Sequence, residues 1–225
     1  MKNAISDLRK NVLALAIVSV VMSSNICRAQ DEKETDSTQK TMRLEGIKVA
    51  IVIAEGYHDH EFWFPYYRFK EEGAELVVAG PKKGIVYGEG RHGKDGLPAR
   101  ITHTIEEIQG QSFDLIYLPG GLWAPMELRA HRPALELVRE AMEKKVLVAA
   151  ICHASWILVS ADVVKGKKIA CPSDMAVDVS NAGGIYVKDA CVRDGNLITA
   201  VYFGYLPQHF QMLIPALLEK KAKNE

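Results

Sequence analysis

"VLVAAICHAS", Val146–Ser155, begins as a run of apolar, β-favouring residues and ends in a thiol, an imidazole and small side chains. A strand covered on both faces accounts for the apolar run. It does not account for Cys152 and His153 side by side at its end. A cysteine on a sharp strand-to-helix turn does. Such a turn lifts the sulfur out of the sheet, and the positive end of the helix dipole favours thiolate there. Ala150, Ala154 and Ser155 are small enough for a tight turn. His153 has two readings. Neighbouring side chains on a strand point to opposite faces, but a turn relaxes that rule. Its ring can act as general base, or its backbone N–H can help to hold an oxyanion.

The same alternation extends in both directions. Strands are expected at Lys48–Ala54, Ala74–Ala79, Ala99–Thr104 and Phe113–Leu118, then at Lys168–Ala170, Ile185–Val192 and Asn196–Val201. Helices are expected at Glu61–Glu72, stopped by Gly73, then at Arg132–Lys145, Ala154–Ala161 and Leu206–Leu218. Gly84–Gly96 is glycine-rich and reads as a hairpin or excursion, and Asp194-Gly195 as a hairpin turn. Apolar strands alternating with amphipathic helices predict an α/β domain with a mainly parallel sheet covered on both faces.

In such a sheet ligands bind beyond the carboxyl ends of the strands. Three features fall at such ends: "HDHE" (His58–Glu61), Gly120-Gly121 and Cys152-His153. Gly120-Gly121 would let backbone approach a ligand closely and add an oxyanion donor. Glu61, in the first turn of a helix, could hydrogen-bond the thiol or carry a proton, or simply face water and complement the dipole. His58-x-His60 with Asp59 and Glu61 resembles a metal-ligand cluster, but no second cluster with ligand spacing accompanies it. No metal and no cofactor is expected.

The chain has 225 residues, 28 basic and 28 acidic side chains and 48% hydrophobic content, which suits one globular domain. Zero formal net charge gives no electrostatic reason to expect nucleic acid or an anionic membrane as partner. No basic or helix-turn-helix segment follows Leu218, which disfavours a transcription regulator; the tail Glu219–Glu225 reads as solvated charge. At the other end Lys2, Arg9 and Lys10 precede the apolar run Val12–Met22, and Ser23–Ala29 follows. This predicts a signal peptide over 1–29, a disordered lead-in over 30–44 and the folded domain over 45–225. An exported protein is the expectation, with an uncleaved membrane anchor as the alternative. Cys27 would leave with the signal. Cys152, Cys171 and Cys191 then make an odd number, so at least one thiol is free, and the latter two read best as buried and unpaired.

"LPGG" (Leu118–Gly121), "AAICHASWILVSADVVKGKKI" (Ala149–Ile169), "NAGG" (Asn181–Gly184) and "DGNLIT" (Asp194–Thr199) together resemble the PfpI branch of the superfamily that also holds the parkinsonism-associated deglycase. That superfamily lies within the class I glutamine-amidotransferase-like fold. The resemblance runs from about Lys48 to Leu218. It implies a flavodoxin-like three-layer α/β/α sandwich. It implies Cys152 as nucleophile on an elbow, Glu61 as its acidic partner and an oxyanion pocket from Gly121 and His153. It also implies a dimer or higher homo-oligomer. Substrates implied are small reactive carbonyls, glycated proteins or peptides, through deglycase, glyoxalase or peptidase chemistry. A non-enzymatic oxidative-stress sensor or holdase using the same cysteine is the alternative.

The chain departs from the pattern in places. His58 stands where an acidic residue is common. In "LWAPMEL" Glu127 falls one position late for the acid that the family's proposed peptidase triad takes across a subunit interface. "CPSDMA" (Cys171–Ala176) replaces a Ser-Tyr-Pro-like segment, and Ala200-Val201 replaces Ser-Arg. A changed substrate pocket is expected.

Overall fold

The computed structural model describes residues 42–90 and 95–224. In chain order the main elements are β1 (Lys48–Val52), α1 (Asp59–Glu71), β2 (Glu75–Gly80), β3 (Gly84–Tyr87), β4 (Pro98–Ile101), β5 (His103–Thr104), α2 (Ile105–Ile108), β6 (Leu115–Leu118), α3 (Trp123–Leu128) and α4 (Arg132–Glu143). There follow β7 (Leu147–Ile151), α5 (Ser155–Ser160), β8 (Lys168–Ala170), α6 (Ala176–Asn181), β9 (Ile185–Val187), β10 (Cys191–Asp194), β11 (Leu197–Ala200) and α7 (Leu206–Asn224).

Seven strands form the central sheet in the order β10-β11-β7-β6-β1-β2-β5. All neighbours are parallel except β10 and β11, which make the hairpin at Asp194-Gly195. β1, β6 and β7 are almost wholly buried because helices cover both faces. On one side α1 and α7 meet through Phe64, Phe69 and Phe210. On the other, α2, α3, α4 and α5 pack against one another, and α4 and α5 against β7. This is the expected flavodoxin-like α/β/α sandwich.

The strand order also places the site. From β1 the chain steps outward to β2, whereas β6 and β7 lie on β1's other flank. The crevice at this switch point lies beyond β1 and β6. The segments that leave β1, β6 and β7 therefore converge there.

Several boundaries differ from the sequence expectation. Ile185–Val192 is two strands: β9 pairs with β8 in a separate two-stranded sheet, and β10 joins the central one. The polar Lys188-Asp189 marks the break. The glycine-rich stretch does form a hairpin, with β3 paired to β4. α7 continues through the charged tail, where Glu219 pairs with Arg193 of β10 at 2.8 Å. Leu44, at the end of the expected lead-in, is fully buried, and its N–H donates to Glu72 O at 2.8 Å. The expected signal peptide and residues 30–41 lie outside the described residues. Cys171 and Cys191 are free and buried. Among the described residues no helix is long and apolar enough to cross a membrane.

Candidate active site

β7 ends at Ile151 in extended conformation, and Cys152 reverses the chain in one step with φ +58°. That left-handed backbone is uncommon for a residue with a Cβ. A 3-10 turn over Cys152–Ala154 leads directly into α5. The sulfur is thus carried on a sharp elbow. The turn also brings the His153 ring back towards it, with Nδ1 3.3 Å from Cys152 Sγ. The backbone N–H groups of His153 and Gly121 are directed at the sulfur too. Both readings of His153 are therefore compatible at once: the ring faces the thiol and the amide can hold an anion.

Gly120 and Gly121 leave the end of β6 beside this elbow. The Gly120 N–H donates to Glu61 Oε2 at 2.9 Å, and Gly120 O accepts from the His58 N–H at 3.0 Å. A Cβ on Gly120 would lie 2.5 Å from Glu61 Oε2 and 2.7 Å from Ile151 O, so no side chain fits. Gly121 has φ +98° and lies against His58 N and Gly56 O. Glu61 does not face water. It is fully buried on the inner side of α1, with Oε1 lacking a hydrogen-bond partner within the protein.

Burial drives the Glu61 carboxyl up to about 8, against the pull of the Gly120 N–H and with the push of Glu89's negative charge. Burial also pushes the Cys152 thiol up, and the Glu61 charge adds to it, while the N–H groups of His153 and Gly121 oppose it. Two acids share one dry pocket, and ionising either discourages the other. Burial works against a thiolate, the two N–H groups work for it, and His153 Nδ1 is placed to take the thiol proton.

The sequence-selected residues Cys152, His153, Glu61, Gly120, Gly121 and His58 all meet here. The His58 ring stacks on Phe203 at 4.8 Å, and burial lowers its basicity. His60 stacks on the same ring at 5.2 Å. Glu127 does not join them: it lies on the exposed face of α3, with no hydrogen bond or ion pair to the elbow. Three further residues enter from outside the expected set. Asp174 Oδ2 lies 3.3 Å from His153 Nε2. Glu89, in the glycine-rich excursion, accepts from the Leu122 N–H at 2.7 Å. Phe203, after β11, directs its backbone N–H at Glu61. Only the departure of "CPSDMA" from the family pattern pointed towards Asp174.

The site thus sets a thiol on a strand–helix elbow, an imidazole against it and backbone amides beside it, at the carboxyl ends of the strands of an α/β sandwich. Residues 47–215 match the DJ-1/PfpI family, and the chain belongs to it. It is 34% identical over 160 residues to deglycase PfpI of Pyrococcus furiosus, covering 71% of this chain and 93% of that one. It is 30% identical over 154 residues to protein/nucleic acid deglycase 2 of Escherichia coli, covering 68% and 87% respectively. The crystal structure of a two-domain protein with DJ-1/ThiJ/PfpI-like and ferritin-like domains from Anabaena variabilis superposes with TM-score 0.68 at 34% identity. That match covers 78% of this chain and 48% of the other, so the chain spans about half of the two-domain protein.

Proposed function

We propose that the chain is a cysteine-dependent enzyme acting on reactive carbonyls, glycation adducts or peptides, with Cys152 as nucleophile. The observation that carries this reading is the 3.3 Å approach of His153 Nδ1 to Cys152 Sγ on a left-handed elbow. As sulfur bonds to the carbonyl carbon, its proton passes to His153 and the C=O electron pair moves onto oxygen. The N–H groups of Gly121 and His153 would receive that oxyanion. Protonated Glu61 can deliver a proton to it and later take one from water. With an amide, the amine leaves with the proton held by His153, and a thioester remains. With a 2-oxoaldehyde, the C1 hydrogen of the thiohemiacetal moves to C2, so that C2 is reduced to the carbinol as C1 becomes the thioester. Water then hydrolyses the thioester to the acid and restores the thiol. The relatives named deglycases support adduct removal over peptide cleavage.

The competing reading, an oxidation sensor, draws on a low-pKa exposed thiolate. Burial opposes such a thiolate here, so base-assisted attack is the better supported chemistry. The test is turnover of methylglyoxal, a glycated amine and a fluorogenic peptide, each with the wild-type protein and with Cys152→Ser. Turnover of at least one by the wild type, and none by the variant, is expected. Equal turnover by both would overturn the reading. Export is proposed from residues 1–29 alone and is checked by N-terminal sequencing of the mature protein.

A further inference from the structure

The His153 ring is engaged at both nitrogens. Nδ1 lies 3.3 Å from Cys152 Sγ and Nε2 lies 3.3 Å from Asp174 Oδ2. A neutral imidazole has one N–H and one lone pair, and an ionised carboxylate only accepts. Asp174 therefore selects the tautomer with the proton on Nε2. That leaves the Nδ1 lone pair facing the thiol, as a base must.

We propose that Asp174 is the positioning residue of this site, so that a single chain holds a complete Cys152–His153–Asp174 relay. The proposal rests on the reading of Cys152 as nucleophile. During attack the S–H proton moves to Nδ1 and the sulfur electron pair forms the bond to carbon. The imidazolium so formed keeps its other N–H on Asp174 and returns the new proton to the leaving group.

The surroundings of the ring support this assignment independently. His153 packs on Trp156 with ring centroids 4.8 Å apart. The Trp156 Nε1–H donates to Asp178 Oδ2 at 3.0 Å, and the Arg129 guanidinium covers the Trp156 ring at 5.5 Å. Asp174 and Asp178 belong to one short segment, a 3-10 turn (Ser173–Met175) running into α6. Met175, fully buried, anchors that turn in the core. One segment thus holds the imidazole by its nitrogen and, through Trp156, by its face. The charged and titratable groups facing the ring are Cys152 and Asp174, with Asp178 and Arg129 behind Trp156. Asp174's side chain is 67% exposed against 21% for His153, so its Coulombic pull is screened and its main effect is on tautomer and direction.

The experiment compares the full-length wild type, Asp174→Asn, Asp174→Glu and Glu127→Gln. One readout is kcat/KM across pH with whichever probe is turned over. The other is the rate of Cys152 alkylation by iodoacetamide, which needs no substrate. Asp174→Asn is expected to lower both roughly 10- to 100-fold near neutral pH, below the usual general-base range of about 10²–10⁴ because Asp174 is largely exposed. Asp174→Glu restores most of the rate. Nitrogen chemical shifts of His153 report a bare Nδ1 in the wild type and mixed tautomers in Asp174→Asn. Unchanged alkylation, pH profile and tautomer in a folded Asp174→Asn overturn the proposal. Loss in Glu127→Gln with none in Asp174→Asn also overturns it, in favour of an acid from a second copy. Turnover that survives Cys152→Ser sinks the functional reading instead, while the alkylation comparison still decides the role of Asp174.

Discussion

Gly120 and Cys152 approach so closely that a Cβ on Gly120 would lie 2.6 Å from Cys152 Cβ. Glu61 Oε2, which accepts from the Gly120 N–H at 2.9 Å, would lie 2.5 Å from the same Cβ. Gly120→Ala clashes with three groups at once: the elbow, the β7 carbonyl and Glu61. It should destabilise the fold by about 1–3 kcal/mol, a usual cost of overpacking. Activity should fall further than stability does. Denaturant unfolding and turnover of the same preparation check this, and a variant with native stability and native rate would contradict the packing.

The position of Glu61 sets an alkaline limit on activity. Its carboxyl is raised to about 8 by burial, so it works as a proton donor below that pH and becomes a charge beside the sulfur above it. Activity should fall as pH rises through about 8. Glu61→Gln keeps a neutral donor and should lose the alkaline limb, along with some of its peak rate. Stability follows the same titration. The folded state holds its proton more tightly than the unfolded chain, whose glutamate titrates near 4.5. Stability therefore declines from that pH up to about 8 and is flat beyond. Glu61→Gln should be more stable than wild type at the alkaline end, as chemical denaturation at two pH values would show.

His209 has the opposite sign. It is wholly buried beside Tyr117, at a centroid distance of 5.8 Å, and burial lowers its pKa to about 3. In the unfolded chain it titrates near 6.5. Acid then favours the unfolded state from that pH down to about 3. His209→Phe should move the acid unfolding midpoint to lower pH, whatever it does to stability near neutrality. An unmoved midpoint by circular dichroism would show that another group governs acid unfolding.

The elbow itself stores strain. Cys152 has φ +58°, where glycine is at ease and other residues are not. Cys152→Gly and Cys152→Ala both remove the sulfur, but only the glycine relieves the backbone. The glycine variant should be the more stable of the two by about 1 kcal/mol, read from thermal or urea unfolding.

Much of this architecture was legible in the chain. β1, β6 and β7 are continuous apolar runs because both faces of a parallel sheet are covered, and each is punctuated at its carboxyl end by chemistry-bearing residues. Cys152 stood out for that reason. α6 and its preceding turn did not, because "CPSDMA" carries no periodicity and Asp174 is an exposed acid in a loop-like segment. Its approach to His153 depends on where the small β8-β9 sheet sits, which no local pattern encodes. Glu127 lies on the exposed face of α3, where it could serve only a second copy of the chain. At the thiol, helix-start electrostatics is local and readable, whereas the burial of Glu61 beside the sulfur, which pushes the thiol up, appears only once α1 is packed.

Cys171 and Cys191 are sealed in the interior at 0% and 7% exposure, which leaves Cys152 as the one partly accessible thiol among the described residues. Stoichiometry with a thiol-specific dye then becomes a gauge of foldedness for residues 42–224. One label per domain marks an intact interior, and every label beyond the first counts molecules whose core has opened.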